Sequence, residues 1–175
     1  MKTLPIICLL AILCLSVKAQ TTKEIDQFTH DTTTMAQNDT LSQYVLRDKK
    51  GKIELIIPYL TCNSIKLNKK NGKAYQFMFF KFKAKDVLSI SHSDSVTFKT
   101  TGDSVFKASY MGKDKIYTTL DYISFNINLN EGIISKFKSS DIIAIRFETS
   151  KGNYDYNIDE NKRKAIAKQI SSLNQ

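Results

Sequence analysis

Tryptophan is absent from the 175 residues, and histidine, proline and glycine are scarce at two, two and six. Each shortage excludes something. His30 and His92 have no partner at the spacings that build zinc sites, so no metal centre is expected. The glycines stand singly at turn-like positions, which leaves no Walker loop, and neither G-x-S-x-G nor H-E-x-x-H occurs. No catalytic residue and no cofactor is therefore expected. Without tryptophan the chain also lacks the usual lining of a long glycan-cleaving cleft.

Cysteine is limited to Cys8, Cys14 and Cys62. The first two fall in an apolar run, Leu4 to Val17, that follows Lys2 and leads to Val17-Lys18-Ala19. This pattern predicts a signal peptide over 1–19, cut after Ala19. The run is shorter than the roughly 20 residues of a membrane span, so no span is expected after cleavage. Neither early cysteine follows a small residue, as a lipid-modified one would. Export is thus expected, to a periplasm or the outside. Cleavage would remove Lys2 and Lys18 and lower the formal charge from +9 to +7. It would leave Cys62 alone, so stability must come from a core and not from disulfides.

The polar stretch 20–43 is rich in threonine and poor in apolar residues. It predicts a mobile tether, with an early strand as the alternative. The remainder, 44–175, reads as one β-rich domain. "KIELIIPYL" (52–60) carries Pro58, which points to an edge or a bulge. "KKNG" (69–72) predicts a two-residue hairpin turn that sets Ile65 opposite Met78, with Phe80 and Phe82 on the same inner face. Two "DSV" words, at 94–96 and 103–105, suggest a repeat, but register opposes it. A three-residue turn at Thr101-Gly102-Asp103 pairs Phe98 with Phe106 and Val96 with Ala108, which keeps the aromatics on one face. Residues 115–129 predict one long strand with Ile123, Phe125, Ile127 and Leu129 inward. Residues 130–141 predict a short helix, and a closing helix is expected from about Asp159 with Ile166, Ile170 and Leu173 as its apolar stripe.

Arginine is also rare: Arg146 is one of three, and it interrupts the apolar run "IIAIRFET". A two-residue turn at Lys151-Gly152 places Ile145, Phe147, Tyr154 and Tyr156 on one face and Arg146, Glu148 and Asp155 on the other. The arginine then relieves repulsion between two carboxylates across the ladder. A structural ion cluster is the expected role, ahead of an anion-binding arginine.

Lysine is the abundant residue. Seven lysines lie from Lys66 to Lys85, with no acid between Leu55 and Lys85. Lys66, Lys81 and Lys83 are expected to share an outer face with Phe77 and Phe79. Two readings stand. In the first, the lysines are solvated and the phenylalanines are tucked under a helix or second sheet. In the second, the face binds an anion by aromatic stacking and charge. Export favours an acidic glycan, lipid phosphate or protein over nucleic acid.

The pattern over 120–173, a long strand, a helical turn, "DIIAIRFET", "GNYDYNI" and a closing helix, resembles small uncharacterised exported proteins of Bacteroidota. The resemblance implies an envelope location. Strands closed by an amphipathic helix are also similar to pleckstrin-homology-like barrels. The expectation is an antiparallel sheet or partly open barrel of about seven to nine strands with a C-terminal helix on it. Its expected role is that of a binding module of the envelope. A small carboxylate-based hydrolase and a structural subunit of an envelope complex are the alternatives.

Overall fold

Period-two alternation resolves into two antiparallel sheets that bury their matching faces against each other. A computed structural model describes residues 21–174, apart from 48–49, 84–87, 91–93, 112–115 and 119–121. The expected signal peptide, Lys85 and His92 lie outside the described residues. The first sheet contains β1 (Thr21–Ile25), β2 (Thr32–Ala36), β3 (Asp39–Arg47), β4 (Ile53–Asn68), β5 (Ala74–Lys83) and β10 (Tyr122–Asn128). Its order is β1-β2-β4-β5-β10, and β3 pairs with the first half of β4. The second sheet runs β12-β11-β7-β8, from Gly152–Asn157, Ile142–Thr149, Ser95–Thr100 and Val105–Ser109. Two short strands, β6 (Leu88–Ile90) and β9 (Ile116–Thr118), pair with each other.

The core is aromatic. Phe82 stacks on Phe147 at 4.3 Å between centroids, Phe125 meets Phe147 at 5.4 Å, and Phe80 meets Phe98 at 5.7 Å. Such pairs stabilise by about 0.5–1.5 kcal/mol beyond the area they bury. Helix α1 (Glu131–Ser139) closes one end with Phe137, which contacts Phe98 and Phe106 edge-on. Asn130 caps that helix by accepting from the Ile133 amide at 2.9 Å. Helix α2 (Ala165–Ser172) buries Ile166 and Ile170 and packs on β4, β2 and α1. An isolated bridge from Tyr110 to Ile127 ties the two sheets together at one corner. Among the described residues the sheets do not close into a barrel, so of the expected pleckstrin-homology-like arrangement only the succession of strands followed by a helix is seen.

Several expectations change. Residues 21–43 are not a tether: they form β1, β2 and the start of β3. β2 pairs with β4 from Thr32↔Asn68 to Met35↔Ile65, and that ladder supplies the order that apolar burial cannot. β4 runs unbroken for 16 residues, and Pro58 sits at a register irregularity, where a missing amide is tolerated. The long strand expected over 115–129 contains two strands with different partners, β9 on β6 and β10 on β5. The closing helix begins later than Asp159. The chain first makes a 3-10 turn at Glu160–Lys162, because Asp159 donates its amide to the Leu41 carbonyl and the Arg163 carbonyl accepts from Ile142.

The β7–β8 hairpin follows the expected register, Phe98↔Phe106 and Val96↔Ala108. Asp103 occupies the left-handed region there, φ 57°, and pairs with Lys99 at 3.0 Å.

Candidate functional site

The first sheet has an outer face that no described helix or second sheet covers. Its makeup follows from register. Met35, Ile65 and Phe77 form one row across β2, β4 and β5, and Thr33, Leu67 and Tyr75 form the next. Asn63, Phe79 and Asn126 continue it, followed by Thr61, Lys81 and Ser124. Tyr75 and Phe77 stack with their ring planes 4° apart. Phe77 and Phe79 are partly exposed, while Met78 and Phe80 beside them are buried in the core. The expected covering of Phe77 and Phe79 by a helix or sheet is absent among the described residues.

Lys81 stands at the border of this patch. Its ammonium lies 5.2 Å from the centre of the Tyr122 ring, a cation–π distance. Next to it a depression of about 430 Å³ is lined by Asn38, Thr61, Asn63, Phe79, Lys81 and Ser124. The site therefore joins an aromatic floor, amide and hydroxyl groups, and cations. Lys83 follows Lys81 on the same face by strand parity.

Lys66 departs from expectation. The β4–β5 turn is one residue longer than a two-residue Asn-Gly turn. Gly72 takes φ 82°, its amide bonds the Lys69 carbonyl at 2.9 Å, and the Lys69 amide bonds the Lys73 carbonyl at 2.8 Å. A turn with a left-handed glycine at its third position is the next commonest hairpin. The longer turn moves the register by one, so Ile65 pairs with Phe77 and Ser64 with Met78. Ile65 and Leu67 thus join the outer face, and Lys66 goes to the opposite side. Its ammonium bonds Asn174 Oδ1 at 3.0 Å, just past α2.

The outer face of the second sheet carries the ion cluster. The turn falls at Ser150-Lys151, two residues from the expected pairing, so parity survives and Arg146 lies directly opposite Asp155. The guanidinium donates twice to that carboxylate, both bonds at 2.7 Å. These bonds hold the Asp155 carboxyl below its usual range and raise the arginine. Glu148 turns the other way, accepting from Lys107 at 2.7 Å and Ser95 at 2.6 Å, and these bonds lower its pKa. The sequence reading missed Lys107. Nothing local links β8 to β11, and only the order β11-β7-β8 makes the row Arg146, Thr97, Lys107 visible. Both carboxylates on this face are thus answered by cations.

In the interior, polar groups join the C-terminal segment to the first sheet. Gln169 on α2 directs its amide nitrogen at the carbonyls of Cys62 (3.1 Å) and Gln37 (3.2 Å) and at Asp39 Oδ2 (2.9 Å). Lys162 also reaches Asp39, at 3.3 Å. Cys62 is buried, and burial raises its thiol above its ordinary pKa, the environment of a structural cysteine. Tyr156 donates its hydroxyl across the sheets to the Lys83 carbonyl.

Among the described residues, no group of three metal-ligating side chains gathers, and no helix is long and apolar enough to cross a membrane. No protein-family model, no curated protein and no solved structure matches the chain, so its site stands on its own geometry.

Proposed function

We propose that the chain is an exported, non-catalytic binding module of the cell envelope that holds an acidic glycan on the outer face of its first sheet. The observation that supports this most is the uncovered pair Phe77 and Phe79 beside Lys81. Aromatic planes stack on the apolar faces of sugar rings, and Asn63, Asn126 and Ser124 offer partners to hydroxyl groups. Lys81 and Lys83 answer carboxylate or sulfate. A sheet face suits an extended polymer better than a small molecule, since the depression is shallow and open. The hydrolase alternative needs an acid held protonated. Among the described residues, the carboxylates with displaced pKa are Asp26, Glu148 and Asp155, and hydrogen bonds displace each of them downward.

Retention on immobilised dextran sulfate tests the reading. The unaltered chain should elute with rising salt, because exposed charge contacts are screened. The double variant Lys81→Glu, Lys83→Glu should elute much earlier, and Phe79→Ala should weaken retention without altering the fold. Unchanged elution of the charge-reversed variant refutes it.

A further inference from the structure

Two hairpin tips meet at one end of the first sheet. The β1–β2 tip is tightly ordered: Asp26 Oδ1 accepts from the amides of Phe28 at 2.8 Å and Thr29 at 2.7 Å. The Asp26 amide bonds the Asp31 carbonyl, and the His30 amide bonds the Asp26 carbonyl, both at 2.9 Å. His30 adopts φ 58° to complete the turn. The β4–β5 tip beside it carries Lys69, Lys70 and Lys73, all exposed. The Lys70 amide donates to Asp31 Oδ1 at 3.0 Å and joins the two tips.

This end presents Phe28, 93% exposed, and Ile25, 63% exposed. Single exposed apolar residues are ordinary. Here the ring sits on a hydrogen-bonded turn that the Asp31 carboxylate joins to the lysine-bearing tip. The acidic neighbours, Asp26 and Asp31, accept from backbone amides, and the lysines extend on flexible stems, that of Lys69 over the Tyr75 ring. A convex tip with one prominent ring offers little area to a protein partner, whose stable interfaces bury about 800 Å² a side. A bilayer surface accepts that shape. The ring enters the boundary between headgroups and acyl chains, and lysines meet lipid phosphates.

We propose that the joined tips dock on an anionic bilayer surface, with Phe28 as the inserted side chain and Lys69, Lys70 and Lys73 on the headgroups. The lysines border the sheet face proposed to hold glycan, because the Lys69 ammonium lies 5.9 Å from the centre of the Tyr75 ring, whereas the inserted side chain, Phe28, is no part of that face. One ring and three lysines give weak, reversible attachment, which keeps the module beside its membrane.

The absence of tryptophan allows a direct test. Phe28→Trp places one fluorophore at the tip, and Val105→Trp places one at an exposed site on the other sheet. With vesicles of phosphatidylcholine plus phosphatidylglycerol, emission of the Phe28→Trp variant should shift to the blue. Emission of the Val105→Trp variant should not. Vesicles of phosphatidylcholine alone should leave the tip fluorophore nearly unchanged. Each lysine neutralised among the three should weaken the vesicle response about fivefold, and reversing all three should abolish it. No shift of the tip fluorophore, or the same shift with both vesicle types, overturns the proposal, and a protein partner then becomes the better reading of the tip. Adding Lys81→Glu and Lys83→Glu to the Phe28→Trp variant separates the two sites. That protein should lose dextran sulfate and keep the blue shift on anionic vesicles.

Discussion

Two neighbouring phenylalanines on β5 should respond very differently to truncation. Phe80 is fully buried, and its ring meets Phe98 and Phe147 at 5.7 Å each. Phe80→Ala removes those contacts and leaves a cavity between the sheets, which costs about 3–5 kcal/mol. Phe79 is partly exposed on the uncovered face. Its truncation loses only part of a phenylalanine's burial, about 1 kcal/mol. With a urea m-value of about 2 kcal/mol per molar, the midpoints should fall by about 2 M for Phe80→Ala and about 0.5 M for Phe79→Ala. Urea titration followed by tyrosine fluorescence or circular dichroism reads both, with m unchanged. Equal losses would falsify the assignment of faces, because they mean that something buries Phe79 as deeply as Phe80. The same pair separates stability from function: Phe79→Ala should keep the fold and weaken polyanion retention.

A double-mutant cycle on Arg146→Ala and Asp155→Ala should show favourable coupling that weakens with added salt. The Asp155 pKa is depressed in the folded chain, so the coupling is present above the ordinary value of 3.8 and is lost as pH falls through the lower folded value. Strict additivity at neutral pH refutes the pair. Gln169→Leu keeps the shape of the side chain but removes its donors from the Cys62 and Gln37 carbonyls. It should destabilise by about 2–3 kcal/mol and speed amide exchange in α2, whereas a neutral result means those bonds are not made.

Strand parity is readable along most of the chain because one face is dry. Ile145, Phe147, Phe98 and Phe106 alternate with Arg146, Thr97 and Lys107, and a one-residue slip would exchange the two sets. Register is less readable. Asn71-Gly72 fits both a two-residue turn and a longer one with glycine left-handed at its end, and the longer turn carries Lys66 off the candidate face. Phe77 and Phe79 are legible as an outward pair, but their cover is not, since it depends on which face α2 chooses. The threonine strands are hidden for another reason. Thr32 to Met35 are ordered by a ladder to Ile65–Asn68, a distant partner that leaves no apolar period behind. Phe28 gives a local sign, one aromatic in a polar run, whose meaning requires the neighbouring lysine turn.

The place of β11 sets the order in which the protein can become whole. It lies between β12 and β7, and its Phe147 fills the gap between rings supplied much earlier in the chain. A chain emerging from its N-terminus can assemble the first sheet and still present Phe80, Phe82 and Phe125 to water. Phe98 and Tyr110 reach Phe80 and Phe125 from the middle of the chain, but only the arrival of β11 sets Phe147 against Phe80, Phe82 and Phe125 together. Until then the nascent protein is a sticky half, and a truncation anywhere before Phe147 should aggregate instead of yielding a smaller stable domain.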